Sequence, residues 1–227
     1  MKKTITLILA FLLLCFGLSA CTDLKNNNDD NDGDGGNENS SPTTAANILV
    51  PYFSCTGNTE KIAEMIARET VGALHEIQPQ IPYTEADLDY YSGGRADREQ
   101  ADPAARPAIA NSVENMPDYD VIFLGYPIWH VQAPKIIYTF LESYDFAGKT
   151  IVPFCTSGSS GVGSSADNLR PLAQNADWKN GTRFSSKTTE SEIKAFVEQL
   201  NLDLKTDTNL SLIYISEPTR PRLISYA

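Results

Sequence analysis

An apolar run, Ile48-Leu49-Val50-Pro51-Tyr52-Phe53, breaks into Ser54-Cys55-Thr56-Gly57-Asn58-Thr59, and a helical pattern starts with no linker between. A run of that length without polar alternation marks a strand buried on both faces. Ile62, Met65, Ile66 and Val71 then fall on one side of a helix. A turn joining such a strand to such a helix gathers backbone N–H groups and the positive end of the helix dipole at one spot. The hydroxyls of Ser54, Thr56 and Thr59, with Gly57 and Asn58, make that spot suitable for an anion, although the same residue types serve ordinary βα loops. No Lys or Arg lies in the turn, and it does not follow the G-x-x-x-x-G-K-[ST] pattern of nucleoside triphosphate loops. A phosphate held by neutral hydroxyls and amides, without metal or lysine, points to a phosphomonoester.

The N-terminus reads as an address. Lys2 and Lys3 precede an apolar run from Ile5 to Ala20, too short for a comfortable membrane span and suited to a signal peptide. It closes on Leu18-Ser19-Ala20-Cys21, which resembles a bacterial lipobox; the resemblance implies lipid on the Cys21 sulfur, cleavage after residue 20 and a membrane-anchored protein of the cell envelope. The alternative is a signal peptide cut elsewhere, with Cys21 incidental. Residues 21–46 are rich in Asn, Asp, Gly, Ser and Thr. They bury too little to offset their ordering entropy, which predicts a flexible acidic tether. Asp29-Asp30-Asn31-Asp32-Gly33-Asp34 lacks the Glu that closes an EF-hand loop, so no metal site is expected. At the other end, residues 205–227 read as a tail. From Leu210 to Ala227 it resembles a translated transposase-type sequencing adapter, with Tyr214 differing, and is expected to be non-native; the alternative is a genuine β-rich extension.

Residues 47–204 remain as one domain, long enough for a single core. The net charge of −11 repels nucleic acid and favours a partner with a basic docking face. Cys55 and Cys155 are expected at the C-terminal ends of two strands with another strand between them, as free, partly buried thiols; a disulfide would need their Cα atoms to approach closely.

Within the domain, strands and helices alternate. Strands are predicted at 48–53, weakly at 75–77, and at 119–125, 150–155 and 182–184. Helices are predicted from Asn58, from about Pro134, from the loop 156–165 through Leu172, and after the capping box Thr189-Glu190-Ser191-Glu192. Such alternation predicts a parallel sheet covered on both faces. Pro51 and Pro153 each cost a ladder bond, so bulges or strand ends are expected there. The polar segment 81–115 reads as a partner surface or a lid.

In an open α/β sheet, ligands lie at the carboxyl ends of the strands where the winding reverses. Three loops should meet there: the hydroxyl turn, Tyr126-Pro127-Ile128-Trp129-His130, and Thr156-Ser157-Gly158-Ser159-Ser160-Gly161-Val162-Gly163. Trp129 on its Pro-stiffened loop is placed to stack on a planar ring or, alternatively, to plug the sheet edge. His130 reads as a solvated loop residue. The glycines of the third loop let backbone N–H groups approach a ring.

Ser-x-Thr-Gly-Asn-Thr on its Tyr-Phe strand resembles the phosphate loop of flavodoxins. Tyr-Pro-Ile-Trp, Gly-Lys-Thr-Ile-Val-Pro-Phe-Cys-Thr-Ser-Gly and the stretch Arg95 to Ile109 are similar to bacterial flavodoxin-like proteins that include predicted quinone and FMN reductases. The resemblance implies a doubly wound, five-stranded parallel sheet in the order 2-1-3-4-5. It also implies FMN as cofactor, held by Ser54, Cys55, Thr56, Gly57, Asn58, Thr59, Tyr126, Pro127, Ile128, Trp129, Thr156, Ser157, Gly158, Ser159 and Gly161. The implied role is electron transfer with a redox partner protein or a small quinone-like acceptor. The variants are an NAD(P)H-dependent quinone or FMN reductase and a flavin-free binding module. The sequence departs from the pattern at Pro51 and at His130, where relatives often carry an aromatic residue.

Overall fold

A computed structural model describes residues 46–89 and 93–202. The expected leader with Cys21, most of the tether and the tail lie outside the described residues. Six strands and four α-helices form in the order β1 (Ile48–Tyr52), α1 (Asn58–Thr70), β2 (Ala73–Glu76), α2 (Arg95–Ala101), β3 (Val121–Pro127), α3 (Lys135–Glu142), β4 (Thr150–Thr156), β5 (Asp177–Trp178), β6 (Thr182–Phe184) and α4 (Glu190–Gln199). Among the described residues these strands all pair in parallel, in the order β2-β1-β3-β4-β5, with β6 also on β4. The fold is flavodoxin-like α/β, and its fifth position is shared by two short pieces, β5 and then β6, along one edge of β4.

The period-two geometry of strands sorts the core into two layers. Leu49, Phe53, Ile122, Leu124, Tyr126, Ile151 and Cys155 face one side, where Ile136, Ile137, Phe140 and Leu141 of α3 cover them. Ile48, Val50, Tyr52, Val121, Phe123, Val152 and Phe154 face the other, against Ile62, Ala63 and Ile66 of α1 and Ile193, Phe196 and Val197 of α4. Gly125 serves a close approach: a Cβ there would stand 2.3 Å from the Phe154 ring.

Both prolines lie inside strands, not at bulges or ends, and the ladders explain why. Pro51 keeps its register opposite His75 of β2, and the β1–β3 ladder pairs Ile48, Leu49 and Tyr52 but is interrupted at Val50 and Pro51, the one ladder bond that the missing N–H costs. Opposite β3, β4 pairs with β5 at Thr150 and Ile151 and with β6 from Phe154 to Thr156, and Pro153 falls in the gap between them. The helix expected through Leu172 is replaced by turns and a 3₁₀ turn, Arg170–Leu172. Pro171 supplies no N–H there and disfavours the helical region for Arg170. Leu169 and Ala173 still bury against the sheet.

Candidate functional site

The chain steps from β1 outward to β2 and then back across to β3, so the winding reverses between β1 and β3. The loops that follow β1, β3 and β4 leave the same end of the sheet and meet at this reversal.

The first loop is the hydroxyl turn. Gly57 takes φ 76°, the left-handed region open to glycine, and as the N-cap it offers the first amides of α1 no side-chain acceptor. Asn58 Nδ2 donates to Thr56 Oγ1 at 3.1 Å. Thr59 is buried, and its hydroxyl pairs with that of Thr156 at the end of β4 at 2.7 Å. That bond ties the first loop to the third.

Two cavities open beside this turn and share Thr56, Pro127, Ile128 and Trp129 as a common wall. The larger, about 460 Å³, runs past Asn58, Thr156, Ser157 and Gly158 to Ser185, Ser186 and Lys187. The smaller, about 210 Å³, is walled by Ser54, Cys55 and Thr59, and on the far side by Leu88, Ala96, Asp97 and His130. The structure thus brings together Ser54, Cys55, Thr56, Asn58, Thr59, Pro127, Ile128, Trp129, Thr156, Ser157 and Gly158 around one double cavity. Gly57 stands behind them as the cap. Ser159 and Gly161 line neither cavity, and neither does Tyr126, whose ring is buried in the α3 layer with its hydroxyl 3.1 Å from Ser165 Oγ. Burial raises the Tyr126 phenol well above its ordinary range.

Trp129 is half-buried and edge-on to two rings, Phe53 at 5.5 Å and Tyr83 at 5.3 Å between centroids. Its backbone exchanges two 2.9 Å bonds with Gln132. The reversal between them passes through His130 at φ 47° and Val131 at φ 61°. Two positive φ values mark a type I′ turn. For a β-branched residue that conformation is strained.

The segment between β2 and β3 holds this strained loop, a role the sequence reading left undecided. Gln100 Nε2 on α2 donates to Trp129 O at 3.0 Å and Ala133 O at 3.2 Å. Asp97 meets His130 Nε2 at 2.7 Å. Arg95 bonds Glu99 at 2.6 Å and lies 4.2 Å above the Tyr83 ring, and the Tyr83 hydroxyl donates to Glu99. Burial, then that carboxylate, pushes the Tyr83 phenol strongly upward.

The third loop is held from β6, where Arg183 Nη2 donates to Ser157 O and Gly158 O, both at 2.8 Å, and Nε donates to Ser157 Oγ at 3.1 Å. Ser157 Oγ in turn donates to Ser160 O. Positions 158 and 161 have open space around them. Both cysteines among the described residues are free, Cys155 fully buried and Cys55 on the exposed turn. Desolvation raises the Cys155 thiol to about 12 and the Cys55 thiol to about 11. Among the described residues, no cluster of His, Cys, Asp or Glu is placed to hold a metal ion.

Sequence reasoning missed Leu88, Ala96 and Asp97, because no apolar period marks their segment. It also missed Ser185 to Lys187, a fourth loop between β6 and α4.

A flavodoxin family model matches residues 47–200. No curated protein matches the chain. Among solved structures, a provisionally assigned flavoprotein from Bacteroides eggerthii is 44% identical, with a TM-score of 0.65, over 68% of this chain and 97% of its own. A second, from Bacteroides uniformis, is 38% identical, with a TM-score of 0.65, over 68% of this chain and 99% of its own. A Lactobacillus acidophilus flavoprotein in complex with FMN is 23% identical, with a TM-score of 0.53, over 67% of this chain and 99% of its own, a likeness of fold. The strand order, the hydroxyl turn at the reversal and the extent of the family match lead to one conclusion: the chain belongs to the flavodoxin family.

Proposed function

We propose that this domain binds FMN and transfers electrons as a lipid-anchored protein of the cell envelope. One observation carries the cofactor: a turn of three hydroxyls and free helix-start amides opens onto a double cavity divided by Trp129. The donor set fits FMN. Ser54, Thr56, Asn58 and Thr59 would hold the phosphate. Trp129, Thr156, Ser157 and Gly158 would border the ring. The cofactor supplies reversible electron and hydride chemistry when bound. The protein's share is to orient the ring, exclude water and set the charge around it. FMN is what the Lactobacillus acidophilus relative carries.

The acidic balance of the chain suits a redox partner with a basic face. The smaller cavity favours, as a second reading, a small quinone-like acceptor reduced at the domain itself. Its wall is largely apolar, with Asp97 and His130 at one side. The anchor rests on the sequence Lys2-Lys3, the apolar run and Leu18-Ser19-Ala20-Cys21.

Absorption spectra and fluorescence titrations with FMN, FAD and riboflavin test the cofactor. FMN is expected to bind best, since riboflavin lacks the phosphate and FAD carries an adenylate beyond it. Equal affinity for riboflavin and FMN would remove the phosphate-turn argument, and a protein indifferent to all three flavins would leave a flavin-free module. Fatty-acid labelling of wild type against Cys21→Ser tests the anchor; equal labelling would end it.

A further inference from the structure

The turn that receives the phosphate carries no cation, but the fold brings one to it. The loop between β6 and α4 places Lys187 on the wall of the larger cavity, which also touches Thr56 and Asn58. In a chain of net charge −11, the described residues on that wall include one ammonium and no carboxylate. The local balance is the reverse of the global one.

A second lysine supports the arrangement. Lys61 lies in the first turn of α1, where a cation opposes the helix dipole. Its Nζ donates to Ser186 O at 3.3 Å, binding the loop of Lys187 to the start of α1. Ser185 Oγ, bonded to Lys187 N at 3.2 Å, fixes the loop from within. Glu60 is the nearby carboxylate; a Cβ on Gly57 would lie 3.8 Å from its Oε2, and its Oε1 accepts from the Tyr52 hydroxyl at 3.5 Å. A dianion seated at the turn therefore meets this negative charge on the helix side, which makes a counter-charge from the cavity side effective.

We infer that Lys187 is a specificity-determining residue for the phosphate of the flavin, supplying the positive charge that the turn lacks, with Lys61 as the positioning residue that holds its loop. This rests on the FMN reading above and deepens it. The charge lets the site prefer a dianionic phosphomonoester over the neutral flavin alcohol. The ammonium acts as a point charge on a flexible stem, so arginine substitutes for it in charge.

The test uses the full chain as wild type, Lys187→Gln and Lys187→Arg, titrated with FMN and with riboflavin at low and at high salt. Lys187 is exposed, so the substitutions leave the core untouched. At low salt Lys187→Gln is expected to weaken FMN about three- to tenfold, riboflavin is unaffected, and Lys187→Arg retains most of the FMN affinity. The FMN difference shrinks toward one in about 1 M salt, where screening acts within about 3 Å. Inorganic phosphate is also expected to raise the melting temperature of flavin-free wild type more than that of Lys187→Gln. Equal losses for both flavins, or an FMN affinity indifferent to the substitution, overturn the inference. If no flavin binds wild type, the function proposed above fails, and the phosphate experiment alone decides Lys187: equal stabilisation of both proteins, or none of either, sinks it.

Discussion

Replacing Thr59 by Val separates the two tasks of the hydroxyl pair. Thr59 Oγ1 and Thr156 Oγ1 lie 2.7 Å apart, at 1% and 5% exposure. Each hydroxyl has one proton, and their mutual bond uses one of the two, leaving one for a ligand. Thr59→Val keeps the shape and strands the Thr156 oxygen, which costs about 1–3 kcal/mol. For a domain of this size the melting temperature falls about 2–4 °C per kcal/mol. Thr156→Val strands Thr59 and is expected to cost about the same. The double variant removes both partners together, so its loss should be smaller than the sum of the singles by about 0.5–3 kcal/mol. Ligand affinity is a separate readout. A hydrogen bond to a charged group contributes about 1.5–3 kcal/mol, and about 1.4 kcal/mol is tenfold. Thr59→Val should therefore bind FMN roughly tenfold or more weakly and riboflavin about as well as wild type. Thermal melts and fluorescence-quenching titrations measure both. Additive losses in the double variant would refute the inter-loop bond, and an unchanged FMN affinity would remove the phosphate from this hydroxyl.

Trp129→Ala removes two edge-on ring contacts and a wall common to both cavities. The flavin-free domain should lose about 1–3 kcal/mol in denaturant titrations, with flavin binding weakened by a similar amount; if neither moves, the ring carries no load. Val131 is 61% exposed at φ 61°. Val131→Gly removes strain of about 1–3 kcal/mol against about 0.5–1 kcal/mol of added chain entropy, so its melting temperature should hold or rise, and a clear fall would show that the side chain makes a needed contact. Tyr52 is raised from 10 to about 12, chiefly by burial and then by Glu60, and Tyr83 and Tyr126 are also raised. The folded state therefore holds these protons more tightly than the unfolded chain, so stability should be intact below pH 10 and fall as pH rises from about 10 through 12. Alkaline melts with tyrosinate absorbance check this, and Tyr52→Phe should flatten the decline.

The elements legible in the sequence are those whose signal is local. The strand Ile48–Tyr52, the turn and the start of α1 at Asn58 are written in consecutive residues. The capping box is another local signal: Thr189 N donates to Glu192 Oε2 at 2.8 Å, and Glu192 N donates to Thr189 Oγ1 at 3.4 Å. The illegible parts are held from elsewhere. Asp177–Trp178 is two residues long and is a strand only because the edge of β4 pairs with it. Tyr126 belongs to a loop motif by sequence, but β3 continues through it and the strand's alternation turns its ring into the α3 layer.

The segment between β2 and β3 shows the limit most clearly. It reads as a polar connection because its attachments are polar and non-local. Gln100 reaches 29 residues along the chain to Trp129 O, and Asp97 reaches 33 to His130. No periodicity announces such bonds, because side chains that hold another loop's backbone need no apolar face of their own. The physical need for them is visible at the other end. A turn with His130 and Val131 both at positive φ does not hold itself, and strained backbone persists where its surroundings over-determine it. Gln100 fixes a carbonyl on either side of that turn, Asp97 fixes the His130 ring within it, and Tyr83 packs against the Trp129 indole before it. The position of Trp129 is therefore set jointly by β3, which delivers it, and by a segment inserted before β3, which clamps it. A change at Tyr83 or Gln100, which line neither cavity, should reach the cavity through the angle of that indole, without any residue of the phosphate turn being touched.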